Sequence, residues 1–234
     1  MGFGALIIGL FFMAIGWIVS SRLKRKFKEY SQTHLTSNLT GAEIAKLMLA
    51  DHGLQQVQVI SVDGQLTDHY NPANKTVNLS QEVYHGRNAA AAAVASHECG
   101  HAVQHAKAYR MLELRSAMVP IQNISAKVIN ILFMMMMFGA LFAGGFFSFN
   151  TALLVIIACY GVFTLFAFIT LPVEFDASKR ALAWIESRGI VTTREHDMAK
   201  DALKWAAMTY VVAAIGALTT LFYYVMMFLG SRED

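Results

Sequence analysis

Residues 128–173 read VINILFMMMMFGALFAGGFFSFNTALLVIIACYGVFTLFAFITLPV, and none of these 46 residues is charged. An α-helix needs about 20 apolar residues to cross the hydrocarbon core of a bilayer, so this run is long enough for two crossings. Glycine, serine and asparagine interrupt the apolar sequence at 144–150. The run therefore predicts a helical hairpin, with helices over about 129–147 and about 151–171.

Two further runs, 1–21 and 205–231, are also uncharged, and each has the length of one crossing. They predict helices over about 2–20 and about 209–229. The chain of 234 residues is 56% hydrophobic and only 15% charged, whereas soluble domains have about 25% charged residues. This composition excludes a disordered chain, a collagen-like repeat and a free nucleic-acid-binding domain, and it disfavours an ordinary soluble globule.

The positions of the basic residues predict an orientation in the membrane. All but one of the 19 Lys and Arg residues fall in 21–128 or in 173–208. Because lysine and arginine are enriched on the cytoplasmic side, both polar segments are expected in the cytosol, and the first helix is expected to be an uncleaved anchor. The expected divisions are transmembrane helix 1 at 1–21 with its N-terminus outside, a cytosolic α+β domain at 22–127, a transmembrane hairpin at 128–172, cytosolic helices at 173–208, and transmembrane helix 4 with a short external tail at 209–234.

Local patterns predict the elements of the two polar segments. Thr40 with Glu43, and Thr192 with Glu195, have the spacing of capping boxes, which open helices. Proline is tolerated in a first helical turn, so Pro172 is expected to begin a separate helix. The other expected elements are a helix at 42–52, a strand at 55–62, a hairpin at 66–80 whose strand 76–79 offers an edge to an extended substrate, and an alanine-rich helix at 88–109 that contains the strongest motif.

That motif is His97-Glu98-Cys99-Gly100-His101, an HExxH pattern. Residues four apart lie on one face of a helix, so both imidazoles can reach one metal ion. Zinc accepts imidazole ligands, and the intervening Glu98 can take a proton from water as a general base. The alternative is a coincidental polar patch on a solvated helix, which the small apolar flank at 89–95 disfavours.

A catalytic zinc site usually has three protein ligands. His105 continues the same helix and is expected to point past the ion, as a surface histidine or as a group that supports a ligand. Glu174 is the first charge after the long uncharged run, and a two-helix hairpin returns it to the membrane face of His97. Glu174 is therefore the expected third ligand, the alternative being that it only marks a helix start near the positive end of the helix dipole.

Several other residues are candidates by type alone. His69, Tyr70, Tyr84 and His196 could stabilise an oxyanion. His69 and Tyr70 are preferred because they flank the hairpin next to the metal helix, the alternative being a polar cluster that stabilises the turn. Asp68 and Asp176 could each orient a ligand histidine or cap local structure, with capping preferred for Asp68. The remaining expectations are two buried free thiols at Cys99 and Cys159, lipid-facing or packing methionines at 134–137, and close helix packing at Gly139 and Ala143 that would suit a homo-oligomer.

The sequence resembles the YugP-type bacterial membrane neutral zinc metallopeptidases over nearly its whole length. The similarity lies in 64–72 (GQLTDHYNP), 75–80 (KTVNLS), 96–105 (SHECGHAVQH) and 171–178 (LPVEFDAS). More distantly, it is similar to the HtpX-type and CAAX-processing membrane proteases, which are gluzincins. The resemblance implies a zincin-like domain, zinc ligands at His97, His101 and Glu174, and Glu98 as general base. It departs at Ser178, where the HtpX-type pattern has an aspartate that orients a ligand histidine, so Asp176, Ser178 or another group would take that part.

These observations together predict an α-helical integral membrane protein with four transmembrane helices and a small cytosolic α+β zincin-like domain. The expected function is a metalloendopeptidase with one Zn²⁺ per chain, in the bacterial inner (cytoplasmic) membrane, with its active site facing the cytosol. Expected partners are the lipid bilayer and a peptide or membrane-protein substrate, and nucleic acid is not expected. The rival functions are an inactive zinc-binding scaffold or adaptor, and a metal transporter, which the absence of Asp, Glu and His from 128–173 and 205–231 disfavours.

Overall fold

The computed structural model describes residues 3–139 and 148–231, and it is mostly helical with one small sheet. The elements in chain order are α1 (Phe3–Tyr30), α2 (Gly41–Asp51), β1 (Gln58–Val62), β2 (His69–Asn71), β3 (Thr76–Ser80), α3 (Gln81–His85), α4 (Ala89–Ala106), α5 (Arg110–Gly139), α6 (Phe149–Ser187) and α7 (Thr193–Gly230). The HExxH motif lies in α4, as the alanine-rich pattern predicts.

The chain divides into two compact units. The helical unit comprises Met1–Trp17, Leu114–Thr170 and Tyr210–Asp234, and the mixed unit comprises Ile18–Glu113 and Leu171–Thr209. Within the described residues, four helices (α1, α5, α6 and α7) are long and apolar enough to cross a membrane. Their number confirms the expectation of four candidate crossings.

The long helices extend further than the hydropathy pattern predicts. Helix α5 begins at Arg110, about 19 residues before the expected helix start, and α6 passes through Pro172 without a break. The expectation that Pro172 begins a separate helix is therefore wrong. The missing N–H of one proline costs one backbone hydrogen bond, and the turns on both sides of Pro172 remain helical. The expected hairpin turn at 144–150 and the small-residue pair Gly139 and Ala143 lie partly outside the described residues.

Small residues allow close contacts inside the helical unit. A Cβ atom at Gly4 would come within 2.6 Å of the Tyr223 ring, and one at Gly216 would come within 3.2 Å of Phe12. Tyr224 is buried and its ring lies 5.4 Å from that of Tyr160. Many other large apolar side chains of this unit are exposed, which is the surface that a lipid environment accommodates.

The sheet of the mixed unit has the strand order β1-β3-β2. Strand β3 pairs in parallel with β1, with Val59 opposite Val77, and antiparallel with β2, with Tyr70 opposite Val77. All five residues of β3 are buried. The expectation that 76–79 offers a free edge to substrate is therefore wrong, because both edges of β3 are hydrogen-bonded within the sheet.

Helix α4 forms the centre of the mixed unit. Six alanines in its first seven residues are at most 1% exposed, and their small side chains let neighbouring elements approach closely. Asn88 caps the helix by accepting a hydrogen bond from the Ala91 N–H, at 2.9 Å. The thiol of Cys99 is free and buried, as expected, and Cys159 is free and buried in the helical unit.

Both predicted capping boxes are present. Thr40 and Glu43 exchange side-chain and backbone hydrogen bonds at the start of α2. Glu195 accepts from the Thr192 N–H at 2.6 Å near the start of α7, and it also accepts from the Thr36 N–H at 2.8 Å. Glu195 thus ties the first turn of α7 to the loop before α2.

Helix α4 approaches the backbone of α6 closely at Gly100. A Cβ atom at this position would lie 2.6 Å from the Ala177 carbonyl oxygen, which is backbone and has little freedom to move. We expect Gly100→Ala to push the two helices apart and to destabilise the protein by about 1–3 kcal/mol, as overpacking typically does. Thermal unfolding of the detergent-solubilised protein measures this loss.

Gly161→Ala is the matched control, because among the described residues a Cβ atom built there has nothing within 4 Å beyond its own chain neighbours and helix backbone. Removing a helical glycine in open space should leave stability unchanged or raise it by up to about 1 kcal/mol. Equal melting temperatures for the wild type and Gly100→Ala would contradict the close packing described here.

Candidate metal centre

Helix α4 presents His97 and His101 on one face, one turn apart. Their rings are edge-to-face, with centroids 4.8 Å apart. His101 is 9% exposed, and Glu98, between them in sequence, is 8% exposed. A protected pair of imidazoles on one helix face is the arrangement that the i, i+4 spacing predicts.

The third group comes from α6. The Glu174 Oε2 atom lies 3.3 Å from His97 Nε2 and 3.6 Å from His101 Nε2, and Glu174 is only 3% exposed. One ligand atom from each of the three residues lies within 4.8 Å of the others. Among residues 3–139 and 148–231, this is the one cluster of three or more such groups placed to share an ion.

The donor set fits a zinc ion. Two atoms that each lie about 2.1 Å from an ion in tetrahedral geometry are about 3.4 Å apart, close to both distances from Glu174. Two imidazoles and one carboxylate also leave the fourth position that a catalytic zinc keeps for water or substrate. The three residues therefore match zinc in number, type and spacing.

Charge reinforces this fit. Burial lowers the pKa of His101, but its hydrogen bond to Glu174 and the nearby charge of Glu98 outweigh burial, so the pKa lies above its ordinary value of 6.5. The site therefore attracts positive charge when no ion is bound. A divalent cation supplies that charge while the imidazoles stay neutral, as ligation requires.

A chain of hydrogen bonds orients His101. Its Nδ1 lies 3.0 Å from the Gln104 Oε1 atom, and the Gln104 amide donates to the Val173 carbonyl and to Asp176, each at 2.8 Å. Arg180 donates to the same Asp176 oxygen at 2.6 Å. Because the Gln104 amide N–H groups donate to these acceptors, its oxygen accepts from the His101 Nδ1–H. When the ring is neutral, the Nε2 lone pair is therefore available to an ion.

A separate contact supports His97. The Ser178 Oγ atom lies 3.1 Å from His97 Nδ1, so the nitrogen that faces away from Glu174 again has a polar partner. Ser178 occupies the position where the HtpX-type pattern has aspartate. The structure thus places Ser178 next to His97. It connects Asp176 to His101 through the side chain of Gln104. Gln104 and Arg180 were missed from the sequence, although Gln104 stands three residues after His101 on the same helix face.

The other candidates lie around Glu98. The Glu98 Oε2 atom accepts from the Tyr70 backbone N–H at 3.0 Å, so the outer edge of β2 lies against this carboxylate. The Tyr70 hydroxyl lies 2.9 Å from His105 Nδ1, while His69 Nδ1 donates to the Thr67 carbonyl at 2.8 Å. His105 is exposed and stands outside the cluster of three.

Asp68 has a local structural contact. It accepts from the Ser80 backbone N–H at 2.7 Å and from the Ser80 hydroxyl, and so ties the loop before β2 to the end of β3. Burial raises the pKa of its carboxyl. These contacts are those of a residue that stabilises the hairpin, which is the preferred interpretation of Asp68 from sequence.

Removal of a clustered side chain should remove the metal. We expect His97→Ala and Glu174→Ala to lose most of the zinc that the wild type binds, because each removes one of three donors. His105→Ala is the matched control and should keep it. Inductively coupled plasma mass spectrometry of the purified, full-length proteins gives the zinc content. Full zinc in Glu174→Ala would exclude the α6 carboxylate as a ligand.

Gln104 should affect zinc affinity without contacting the ion. Gln104→Met keeps the approximate volume but removes the hydrogen bonds to His101 and Asp176, and groups in such positions typically contribute 10–100-fold to metal affinity. Competition with a chromogenic chelator measures the change, and exposed Gln58→Met on β1 is the control. An affinity equal to that of the wild type would show that His101 is oriented without Gln104.

Comparisons with known proteins identify relatives of this chain. Residues 5–229 match the family model described as "Putative neutral zinc metallopeptidase". The chain is 41% identical over 213 residues to "Putative membrane protease YugP" of Bacillus subtilis (strain 168), which covers 91% of each chain. No solved structure matches it. Since the family model spans nearly the whole sequence and the cluster of His97, His101 and Glu174 lies inside the match, this chain belongs to the family of neutral zinc metallopeptidases.

Proposed function

We propose that this protein is a membrane-embedded zinc metalloendopeptidase. The observation that carries the proposal is the convergence of His97, His101 and Glu174, with Glu98 beside them. Family membership and the membrane-protease name of the Bacillus subtilis relative support the same conclusion. One zinc ion per chain follows, because the described residues hold one such cluster.

The proposed roles divide between holding the ion and moving a proton. His97, His101 and Glu174 hold the ion, which when bound supplies a Lewis acid that lowers the pKa of water toward about 7. Glu98 takes a proton from the attacking water and delivers it to the leaving nitrogen as the carbon–nitrogen bond breaks. The Tyr70 N–H bonds one oxygen of Glu98 and so holds the carboxylate in one orientation.

Oxyanion stabilisation needs a donor in addition to the ion, and Tyr70 is the better of the two preferred candidates. Its backbone N–H already donates to Glu98, and its hydroxyl can exchange its present contact with His105 for another hydrogen-bond partner. His69 donates its Nδ1 proton to Thr67, so its other nitrogen is an acceptor when the ring is neutral. Both assignments stay predictions.

We place the protein in the bacterial inner membrane with the catalytic site facing the cytosol. Four helices of sufficient length and the clustering of lysine and arginine in the polar segments support this topology. A peptide or a membrane protein near the bilayer is the corresponding substrate class. The helices themselves would contact lipid.

Glu98→Gln tests the catalytic proposal against an inactive zinc-binding scaffold. The amide cannot take a proton from water, so we expect peptide cleavage to fall by at least about 100-fold while zinc content stays at the wild-type level. Cleavage of a casein-derived fluorogenic peptide mixture by the full-length protein in lipid nanodiscs measures the rate. Undiminished cleavage by Glu98→Gln would exclude Glu98 as the base, and no zinc-dependent cleavage by the wild type would favour the scaffold.

A further inference from the structure

Helices α6 and α7 form a groove of about 480 Å³ within the mixed unit. Its apolar lining includes Phe175, Leu182, Leu203 and Met208. Ligand pockets in proteins typically measure about 300–1,000 Å³, so the groove is large enough for a few side chains. None of the roles assigned above to the metal ligands or to Glu98 uses it.

One end of the groove lies behind His97, on the side that faces away from Glu174. Phe175 follows Glu174 directly in α6 and is 48% exposed. By contrast, Val173 and Ala177, which face the core, are fully buried. Ser178 lines the groove and also contacts His97 Nδ1. A chain lying in the groove would therefore pass within one side chain of a metal ligand.

The rim of the groove is positively charged. Lys179, Lys200 and Lys204 line it, against a single carboxylate from Glu186. Within the described parts of the chain, no carboxylate lies within 4.0 Å of these three ammonium groups, whereas Lys26, Arg180 and other basic side chains of the unit have such partners. The Glu186 carboxylate itself lies 3.9 Å from His196. The lining residues thus carry a net positive charge around an apolar floor.

We propose that this groove binds a segment of the peptide substrate away from the scissile bond, and that it selects an apolar side chain followed by acidic ones. The inference rests on the proposed peptidase function. The floor accepts the apolar side chain, the lysines pair with the carboxylates, and the contact through Ser178 connects the groove to the side of His97 that faces away from Glu174. Charge complementarity of this kind contributes mainly to specificity.

Binding to the inactive Glu98→Gln protein tests the groove without hydrolysis. The probes are two fluorescein-labelled hexapeptides, one with leucine followed by two glutamates and the other with leucine followed by two glutamines. Full-length, zinc-loaded protein in phosphatidylcholine nanodiscs is titrated by fluorescence anisotropy. We expect tighter binding of the glutamate peptide.

Charge reversal on α7 should remove that preference. Exposed charge pairs contribute modestly to binding, so Lys200→Glu or Lys204→Glu should lower the affinity ratio of the two peptides about twofold to fivefold. Lys46→Glu, on the exposed face of α2, makes the same change in net charge and should leave the ratio unchanged. Both groove lysines are exposed, so folding is expected to survive, which a melting curve checks.

Each outcome decides the inference separately from the proposed function. Three results would overturn the groove assignment, whether or not the wild type cleaves peptides. They are equal binding of the two peptides by the Glu98→Gln protein, no measurable binding, or the same loss of preference with Lys46→Glu. Lipid headgroups are the other source of anionic ligand. If phosphatidylglycerol raises the melting temperature of detergent-solubilised protein, and Lys200→Glu abolishes that shift without changing the peptide ratio, the groove binds lipid and the inference is wrong.

Discussion

A buried carboxylate facing two imidazoles is the constraint on which the arrangement of the mixed unit depends. Glu174 is almost inaccessible to water, and an ionised carboxylate in such a place is costly unless a positive charge or several donors compensate it. His97 and His101 provide that environment from a different helix, 73 to 77 residues earlier in the chain. The proposed ion would compensate the buried charge of Glu174. Because it would bind residues of both helices, it would also cross-link α4 to α6.

Close packing makes this cross-link geometrically possible. Gly100, inside the HExxH motif, lets the α4 backbone approach the Ala177 carbonyl, and the alanines before the motif bring α4 close to its other neighbours. Two separate supports then orient the imidazoles, Ser178 behind His97 and Gln104 behind His101. Because Gln104 also contacts the Val173 carbonyl and Asp176, it connects the metal cluster to the part of α6 that delivers Glu174. The same side chains therefore determine both the spacing of the helices and the direction of the ligand atoms.

Two faces of α6 have different surroundings, one packing in the core and the other lining the groove. On α6, Val173, Ala177 and Ala181 face the core and are fully buried, while Phe175 and Lys179 line the groove. The helical period separates the two faces, and Ser178 lies between them with contacts to both. A substrate specificity built on the second face could change through surface substitutions without disturbing the donors on the first.

Periodicity and charge were enough to predict the candidate crossings, the HExxH helix and both capping boxes, because these depend on residues close together in the chain. Pro172 shows the limit of such reasoning. Local preference favours a helix start there, but the structure continues α6 through it. Strand β3 shows another limit, since nothing in 76–80 tells whether one or two strands pair with it, and both its edges are in fact occupied.

The sequence by itself determined the number of long apolar helices and the residue types available to a metal ion, since both follow from composition and local spacing. Only the tertiary structure decided how these parts meet. The partner of each imidazole, the central place of β3 and the charged groove between α6 and α7 all depend on contacts between distant segments. Such contacts form where packing brings backbones together, and a one-dimensional pattern does not contain those distances.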